Sequence, residues 1–201
     1  MMPYPSLVTG EVPGQYPAPD LYSGNLLEDY EFGGIDLNDS SLGHNAVHWR
    51  GYSDGSSIWV TKDGDSGYTP FLVTTDTGIT EISFSFDQLM RPSVVYVAGG
   101  VAKLYWYDSS APGNVTTVIT GAVSPKLTLD DKRKQSSDAG ESDIILFYIR
   151  AGGLYYRYQR DRYGVEYLLS ATVEGVGKRI HRVGLDKNNR MHIEIQLKAD
   201  S

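Results

Sequence analysis

Two stretches of this chain are variants of one string. Residues 94–108 read VVYVAGGVAKLYWYD, and residues 144–161 read IILFYIRAGGLYYRYQRD. Superposed, Gly99 falls on Gly152, Gly100 on Gly153, Val101 on Leu154, Tyr105 on Tyr158 and Asp108 on Asp161. Each copy is an apolar run, a glycine pair, and a second run ending in aspartate. Runs of about five to eight residues rich in Val, Ile, Tyr, Phe and Thr, bounded by small polar residues, are the pattern of short strands joined by tight turns. Self-similarity at a spacing of roughly 43–55 residues points to stacked blades or an array.

The pattern extends beyond these two copies. First strands are expected at 33–39, 79–88, 124–131 and 179–188. Second strands follow within 44–52, 92–98, 143–150 and 190–197. Third strands fall in 56–63, 102–108 and 154–161, and fourth strands in 67–75, 114–120 and 163–170. The fold class is all-β, built of repeated four-stranded antiparallel meanders, propeller-like or as stacked sheets. Three and a half blades are expected, since the last unit stops after two strands. Gly99, Gly100, Gly152 and Gly153 are assigned to the hairpin turns, because a two-residue hairpin needs positive φ. No window carries helical periodicity.

The chain divides into an arm at 1–30 and a meander body at 31–201. The arm interleaves Pro3, Pro5, Pro13, Pro17 and Pro19 with Tyr4, Tyr16 and Tyr22. Proline removes ladder donors and fixes φ, so an extended, anchoring arm is expected. It lacks the basic start and apolar run of a signal peptide, and no apolar run reaches the length of a membrane span. There are no cysteines, which excludes disulfides, thiolate metal sites and cysteine nucleophiles.

Net charge is −7, which argues against nucleic acid as a partner. The charge is uneven. Residues 1–90 hold 2 basic and 13 acidic residues, and residues 91–201 hold 16 and 12. Such halves suit complementary surfaces in a homo-oligomer.

Motifs with chemical overtones read as turns. Asp76-Thr77-Gly78 has the letters of an aspartic-protease motif, but that chemistry needs two aspartates sharing a proton. Asp63–Gly67 resembles the opening of a calcium loop, with Thr74 where the bidentate glutamate belongs. His44 and His48, four apart on one strand face, lack a third ligand, and these and His181 and His192 read as solvent-facing or satisfied histidines. Asp87, Asp108, Asp130, Asp161 and Asp186 stand at strand ends, where aspartate caps turns. No catalytic residue, cofactor or metal is expected. The binding signal is aromatic: fifteen tyrosines and three tryptophans, concentrated in Tyr105, Trp106, Tyr107, Tyr155, Tyr156 and Tyr158. By alternation Tyr105 and Tyr107 share a face with Tyr156 and Tyr158, while Leu104 and Trp106 share the other with Tyr155 and Arg157. One face packs between sheets. The other lines a protein interface or stacks on sugars.

ITEISFSFDQLMRPSVVYVAGGVAKLYWYD, PKLTLDDKR and GGLYYRYQRDRYGVEYLL together resemble tail-associated structural proteins of tailed bacteriophages. The likeness spans residues 27–197. It implies a non-enzymatic virion protein, made in the bacterial cytoplasm and built into the tail, that holds or connects fibres or neighbouring tail proteins. A carbohydrate-binding module that contacts host-surface glycans is the alternative, and a glycan-cleaving enzyme is a third reading.

Overall fold

A computed structural model describes residues 27–34, 47–62, 67–87, 91–111, 113–130, 143–173, 178–185 and 191–197. Fourteen strands and no helix occur among them. The first sheet holds β1 (Glu28–Gly34), β2 (Val47–Ser53), β3 (Ser57–Lys62) and β4 (Phe71–Thr75). The second holds β5 (Ile79–Phe86), β6 (Pro92–Ala98), β7 (Val101–Asp108) and β8 (Gly113–Ile119). The third holds β9 (Val123–Asp130), β10 (Asp143–Arg150), β11 (Gly153–Tyr158) and β12 (Tyr167–Ser170). The fourth is the pair β13 (Lys178–Leu185) and β14 (Met191–Leu197). Every pairing is antiparallel and every sheet runs in chain order, so the repeated meanders expected from the sequence are the fold.

The sheets stack face to face, in series, through three apolar clusters. Trp49, Ile58, Val60 and Val73 of the first sheet meet Ile82, Phe84, Val94 and Tyr96 of the second. Val95, Leu104, Trp106 and Ile119 of the second meet Leu127, Ile144, Leu146 and Tyr148 of the third. Ile145, Phe147, Ile149 and Leu154 of the third meet Ile180, Val183, Ile193 and Ile195 of the fourth. β6 and β10 are therefore buried on both faces, which is why they read as unbroken apolar runs. β7 alternates, with Ala102, Leu104 and Trp106 inward.

Successive sheets meet closely at their first strands: β1 lies against β5, β5 against β9, and β9 against β13. Side chains tie these strands together. Ser83 Oγ donates to Asp29 Oδ2 (2.7 Å) and accepts from the Leu127 amide (3.1 Å). Ser124 Oγ accepts from the Ile180 amide (2.9 Å) and donates to its carbonyl (3.3 Å). Among the described residues, the backbones of the outer strands do not approach as closely from sheet to sheet. Sheets joined at one edge and splayed at the other are propeller-like.

Three expectations are corrected. The first described strand is Glu28–Gly34 and so begins ahead of the strand expected at 33–39, of which residues 35–39 lie outside the described residues. Residues 1–26 of the arm lie outside the described residues. The glycine pairs are also not equivalent. Gly99 (φ 58°) and Gly100 (φ 76°) form the β6–β7 turn. The β10–β11 turn is Ala151 (φ 49°) and Gly152 (φ 80°), and Gly153 is already the first residue of β11, paired with Arg150. The copies therefore match one residue away from the sequence superposition. Strand side chains alternate with period two, so this slip exchanges the faces. Tyr156 and Tyr158 share the orientation of Leu104 and Trp106, and Tyr155 shares that of Tyr105.

Gly153 leaves room for the Tyr155 ring, which a larger residue would displace. A Cβ there would lie 2.8 Å from Tyr155 Cε2. Ala151, by contrast, occupies the left-handed region, at a cost of about 1–2 kcal/mol for a residue with a Cβ. Ala151→Gly is expected to stabilise the protein by about 0.5–1 kcal/mol after the greater unfolded-state entropy of glycine is subtracted. Gly153→Ala is expected to destabilise it by about 1–2 kcal/mol through overpacking. Urea-unfolding midpoints of the two variants should move in opposite directions.

Candidate functional site

Five of the six aromatic residues singled out in the sequence divide among the three interfaces. Tyr105 is half-buried against the first core cluster. Burial raises its hydroxyl pKa, and a hydrogen bond with Asn114 opposes that. Tyr107 carries the Arg91 guanidinium over its ring at 3.9 Å. Trp106 is 3% exposed. Its indole N–H donates to Thr117 Oγ1 (3.0 Å), and its ring meets Tyr163 edge-on at 5.0 Å. Trp106 is thus a core residue and offers no platform to a sugar. Tyr155 stacks on Tyr148 (6.0 Å, 18°) beneath the Arg150 guanidinium.

Tyr156 and Tyr158 are different. They face the fourth sheet, at the margin of the third cluster, and each is half-exposed. Tyr167 of β12 joins them. Tyr156 and Tyr167 stack at 5.1 Å, Tyr156 and Tyr158 meet edge-on at 5.4 Å, and Tyr158 and Tyr167 at 5.7 Å. Arg160 spreads over the Tyr158 ring at 3.9 Å, and the Tyr167 hydroxyl donates to Asp161 Oδ2 (2.9 Å). That bond raises the Tyr167 pKa, with burial a second cause. The reason for the exposure is topological. A two-stranded sheet stands over a four-stranded one, with β13 against β9 and β10, so the facing side of β11 and β12 is only partly covered. Tyr167 escaped the sequence reading because its direction depends on the irregular β11–β12 register, which shifts between Leu154 and Tyr155.

A charged cluster lies at the turn after β11, where the third sheet meets the second. The turn after β11 places Arg162 (φ 52°) and Tyr163 (φ 54°) consecutively in the left-handed region. Arg162 Nη2 pairs with Asp108 Oδ2 at 2.6 Å, reaching from the third sheet to the end of β7. The Ser110 hydroxyl first, with its amide and Arg162, holds the Asp108 carboxyl below its usual range against burial. Tyr163 is wholly buried, and its hydroxyl has no hydrogen-bond partner among the described residues. Burial, with the charges of Asp143 and Asp87, pushes its pKa well up. Asp143, 5% exposed, is pushed up to about 6 by burial. The Arg160 amide (3.0 Å) and guanidinium (3.5 Å) oppose that shift, and Asp161 adds to it. On the same side of the third sheet, Glu166 binds the Tyr148 hydroxyl, Arg150 and Arg157, and Arg157 also donates to the Tyr163 carbonyl. Burial pushes its carboxyl up, but these partners outweigh it and the net direction is down.

The other motifs serve turns. Asp76 accepts from the Thr77 amide (2.8 Å) and from Lys103 Nζ (2.6 Å). Asp87 caps the Arg91 amide (3.0 Å), and Asp108 that of Ser110 (2.9 Å). Asp63, Asp65, His44 and Asp186 lie outside the described residues. Among the described residues, no three His, Asp or Glu side chains are placed to hold a metal ion, and no helix is long and apolar enough to cross a membrane. The surface that remains offers aromatic faces and hydrogen-bonding edges, suited to a β-strand or a sugar ring. No family model, curated protein or solved structure matches this chain.

Asp143 makes stability depend on pH in a definite direction. Its folded pKa lies above the ordinary carboxylate value, so folding binds its proton more tightly. The contribution is complete below about pH 4 and is lost as pH rises through about 6. Asp143→Asn keeps an acceptor for the Arg160 amide and removes the buried charge. It is expected to stabilise the protein at pH 7 by about 1–2 kcal/mol and to have little effect at pH 4. Chemical denaturation at both pH values measures the difference.

Proposed function

We propose that this protein is a structural element of a bacteriophage tail, an adaptor that holds or connects fibres or neighbouring tail proteins without catalysing a reaction. The observation that carries this reading is the half-covered face of the third sheet. Tyr156, Tyr158 and Tyr167 stand together at the edge of an apolar interface that β13 and β14 cover only in part. Such a face suits a protein whose work is contact. The strings that resemble tail proteins supply its frame: ITEISFSF is β5, PSVVYVA is β6 and VAKLYWYD is β7. In this reading the protein is made in the bacterial cytoplasm, assembles as a homo-oligomer, and is anchored by its N-terminal arm.

The alternative, a glycan-binding module, draws on the same tyrosines, with Arg160 and Asp161 as hydrogen-bonding partners. Tyrosine faces stack on sugar rings. Glycan binding that disappears in Tyr167→Ala would favour it.

Two measurements test the tail reading. Mass spectrometry of purified particles should find the protein in fixed proportion to the tail proteins, and its absence would end the proposal. A truncation that begins at Leu27 should fold and fail to enter particles. The cut belongs there because the Leu27 carbonyl accepts from the Ser53 amide (2.9 Å) and Asp29 holds Ser83 and the Phe84 amide. Normal incorporation of the truncated protein would remove the anchoring role of the arm.

A further inference from the structure

The turn between β11 and β12 reaches both faces of the third sheet. Toward the second sheet, Tyr163 lies against Trp106, Arg162 holds Asp108 Oδ2 at 2.6 Å, and the Tyr163 carbonyl accepts from Arg157 Nη1 (2.8 Å). Toward the fourth, Arg160 spreads over the Tyr158 ring at 3.9 Å, and Asp161 Oδ2 accepts from the Tyr167 hydroxyl (2.9 Å). The turn thus supplies the cation and the carboxylate that border the half-exposed tyrosines. It closes on itself through the amides of Arg162, Tyr163 and Gly164, which donate to the carbonyls of Gln159 (2.7 Å), Tyr158 (2.9 Å) and Asp161 (2.9 Å). It is seated on β10 through the Gln159 amide, which donates to the Ile144 carbonyl (3.0 Å), and the Arg160 amide, which donates to Asp143 Oδ1 (3.0 Å).

Asp143 is a poor seat when ionised. Its side chain is 6% exposed, and Oδ2 is buried without a hydrogen bond. Arg160 Nε stands 3.5 Å from Oδ2, but the Arg160 side chain is 59% exposed. A cation in water compensates a buried carboxylate only in part. Asp161 of the turn opposes ionisation, and Asp130 of β9 is the in-register partner of Asp143. Asp143 and Asp87 both act on the buried Tyr163 hydroxyl. The closed turn also carries strain, since Arg162 and Tyr163 both have positive φ and that hydroxyl has no hydrogen-bond partner among the described residues.

We propose that residues 159–164 form a latch that is held shut by a proton on Asp143 and that governs how Tyr158 and Tyr167 are covered. In the shut latch, burial places the Asp143 pKa at about 6, above the ordinary value of 3.8. Opening admits water to the carboxylate and returns it toward that ordinary value. The shut form therefore binds the proton more tightly, and this contribution is complete below about pH 4 and lost as pH rises through about 6. Between pH 5 and 7.5 the two values make opening about tenfold more favourable. Opening draws Arg160 off the Tyr158 ring and Asp161 from the Tyr167 hydroxyl, which bares the rings and frees a donor. The inference does not rest on the tail reading, since it concerns access to the tyrosine face whatever meets it.

Amide hydrogen exchange of the full-length protein tests the latch. The amides of Arg162, Tyr163 and Gly164 are expected to be less protected than those of β6, which lies between two sheets. With the intrinsic pH dependence of exchange removed, the turn should open about tenfold more often at pH 7.5 than at pH 5. The ring resonances of Tyr158 and Tyr167 should shift over the same range with a midpoint near 6. In Asp143→Asn both dependences should vanish, while the Arg160 amide keeps an acceptor. If that variant does not fold, Asp143→Ser replaces it. Turn amides that exchange only together with those of β6 would overturn the proposal. So would tyrosine resonances that do not move, or a pH dependence that survives in the variant.

Discussion

The hydrogen bonds that join the first strands are the constraint on which the rest of the structure depends. Apolar stacking alone does not fix how two sheets are turned or displaced relative to each other. Serine side chains at the first strands do. Ser83 is 1% exposed and bonds to β1 and β9 at once. Ser124 bonds both backbone groups of Ile180. A hydroxyl in this position has no water to return to, so displacing a neighbouring strand strands a buried polar group at a cost of about 1–3 kcal/mol. Serine is also small enough to let strands of different sheets approach closely. The result is a line of contact along one edge of the stack, from which the outer strands spread apart.

Much of this was legible in the sequence, and what was not has physical reasons. Strand number, strand order and the two-stranded last sheet follow from apolar runs separated by turn residues. The start of the first strand was misplaced because Glu-Asp-Tyr-Glu is charged and adjoins a proline-rich segment, while the neighbouring Gly-Gly-Ile-Asp-Leu alternates as well. The faces of the third sheet were inverted because Ala-Gly-Gly allows two positions for a two-residue turn. Glycine is the expected occupant of positive φ, yet Ala151 takes it, and Gly153 is kept for the approach of Tyr155. The serine contacts leave no trace in a pattern, since a serine in a strand ordinarily reads as solvent-facing. The candidate site was half visible: Tyr156 and Tyr158 were marked, whereas Tyr167 became their neighbour through an irregular register, and Trp106 was lost to the core.

The turn after β11 shows the opposite balance from the serines. Two consecutive non-glycine residues at positive φ cost on the order of 1–2 kcal/mol each. The conformation persists because it carries the Tyr163 ring into the second interface, against Trp106, and brings Arg162 to Asp108. Burying an aromatic ring contributes about 1.5–3 kcal/mol, comparable to the strain. The price is a buried hydroxyl without a partner beside the raised carboxyl of Asp143. This turn joins the second and third sheets away from the first-strand contacts, so the stack is held there by opposed charges and one ring as well as by packing.

How far the stack extends is written in the second strand of each meander. β6 and β10 are apolar at nearly every position because a sheet lies on both sides. β14 alternates: Ile193 and Ile195 pack inward, while His192 and Glu194 face outward. β2 alternates too, with Trp49 inward and Arg50 and Tyr52 on the far side. The first and fourth sheets are therefore specified as ends by their own residues. An outward face of Arg50, Tyr52, Trp59 and Leu72 is neither a bare core nor a plain solvent surface. Mixed aromatic and charged composition is typical of protein interfaces whose partners also exist apart. The contrast between continuous and alternating strands thus separates the sheets packed on both faces from those packed on one among the described residues.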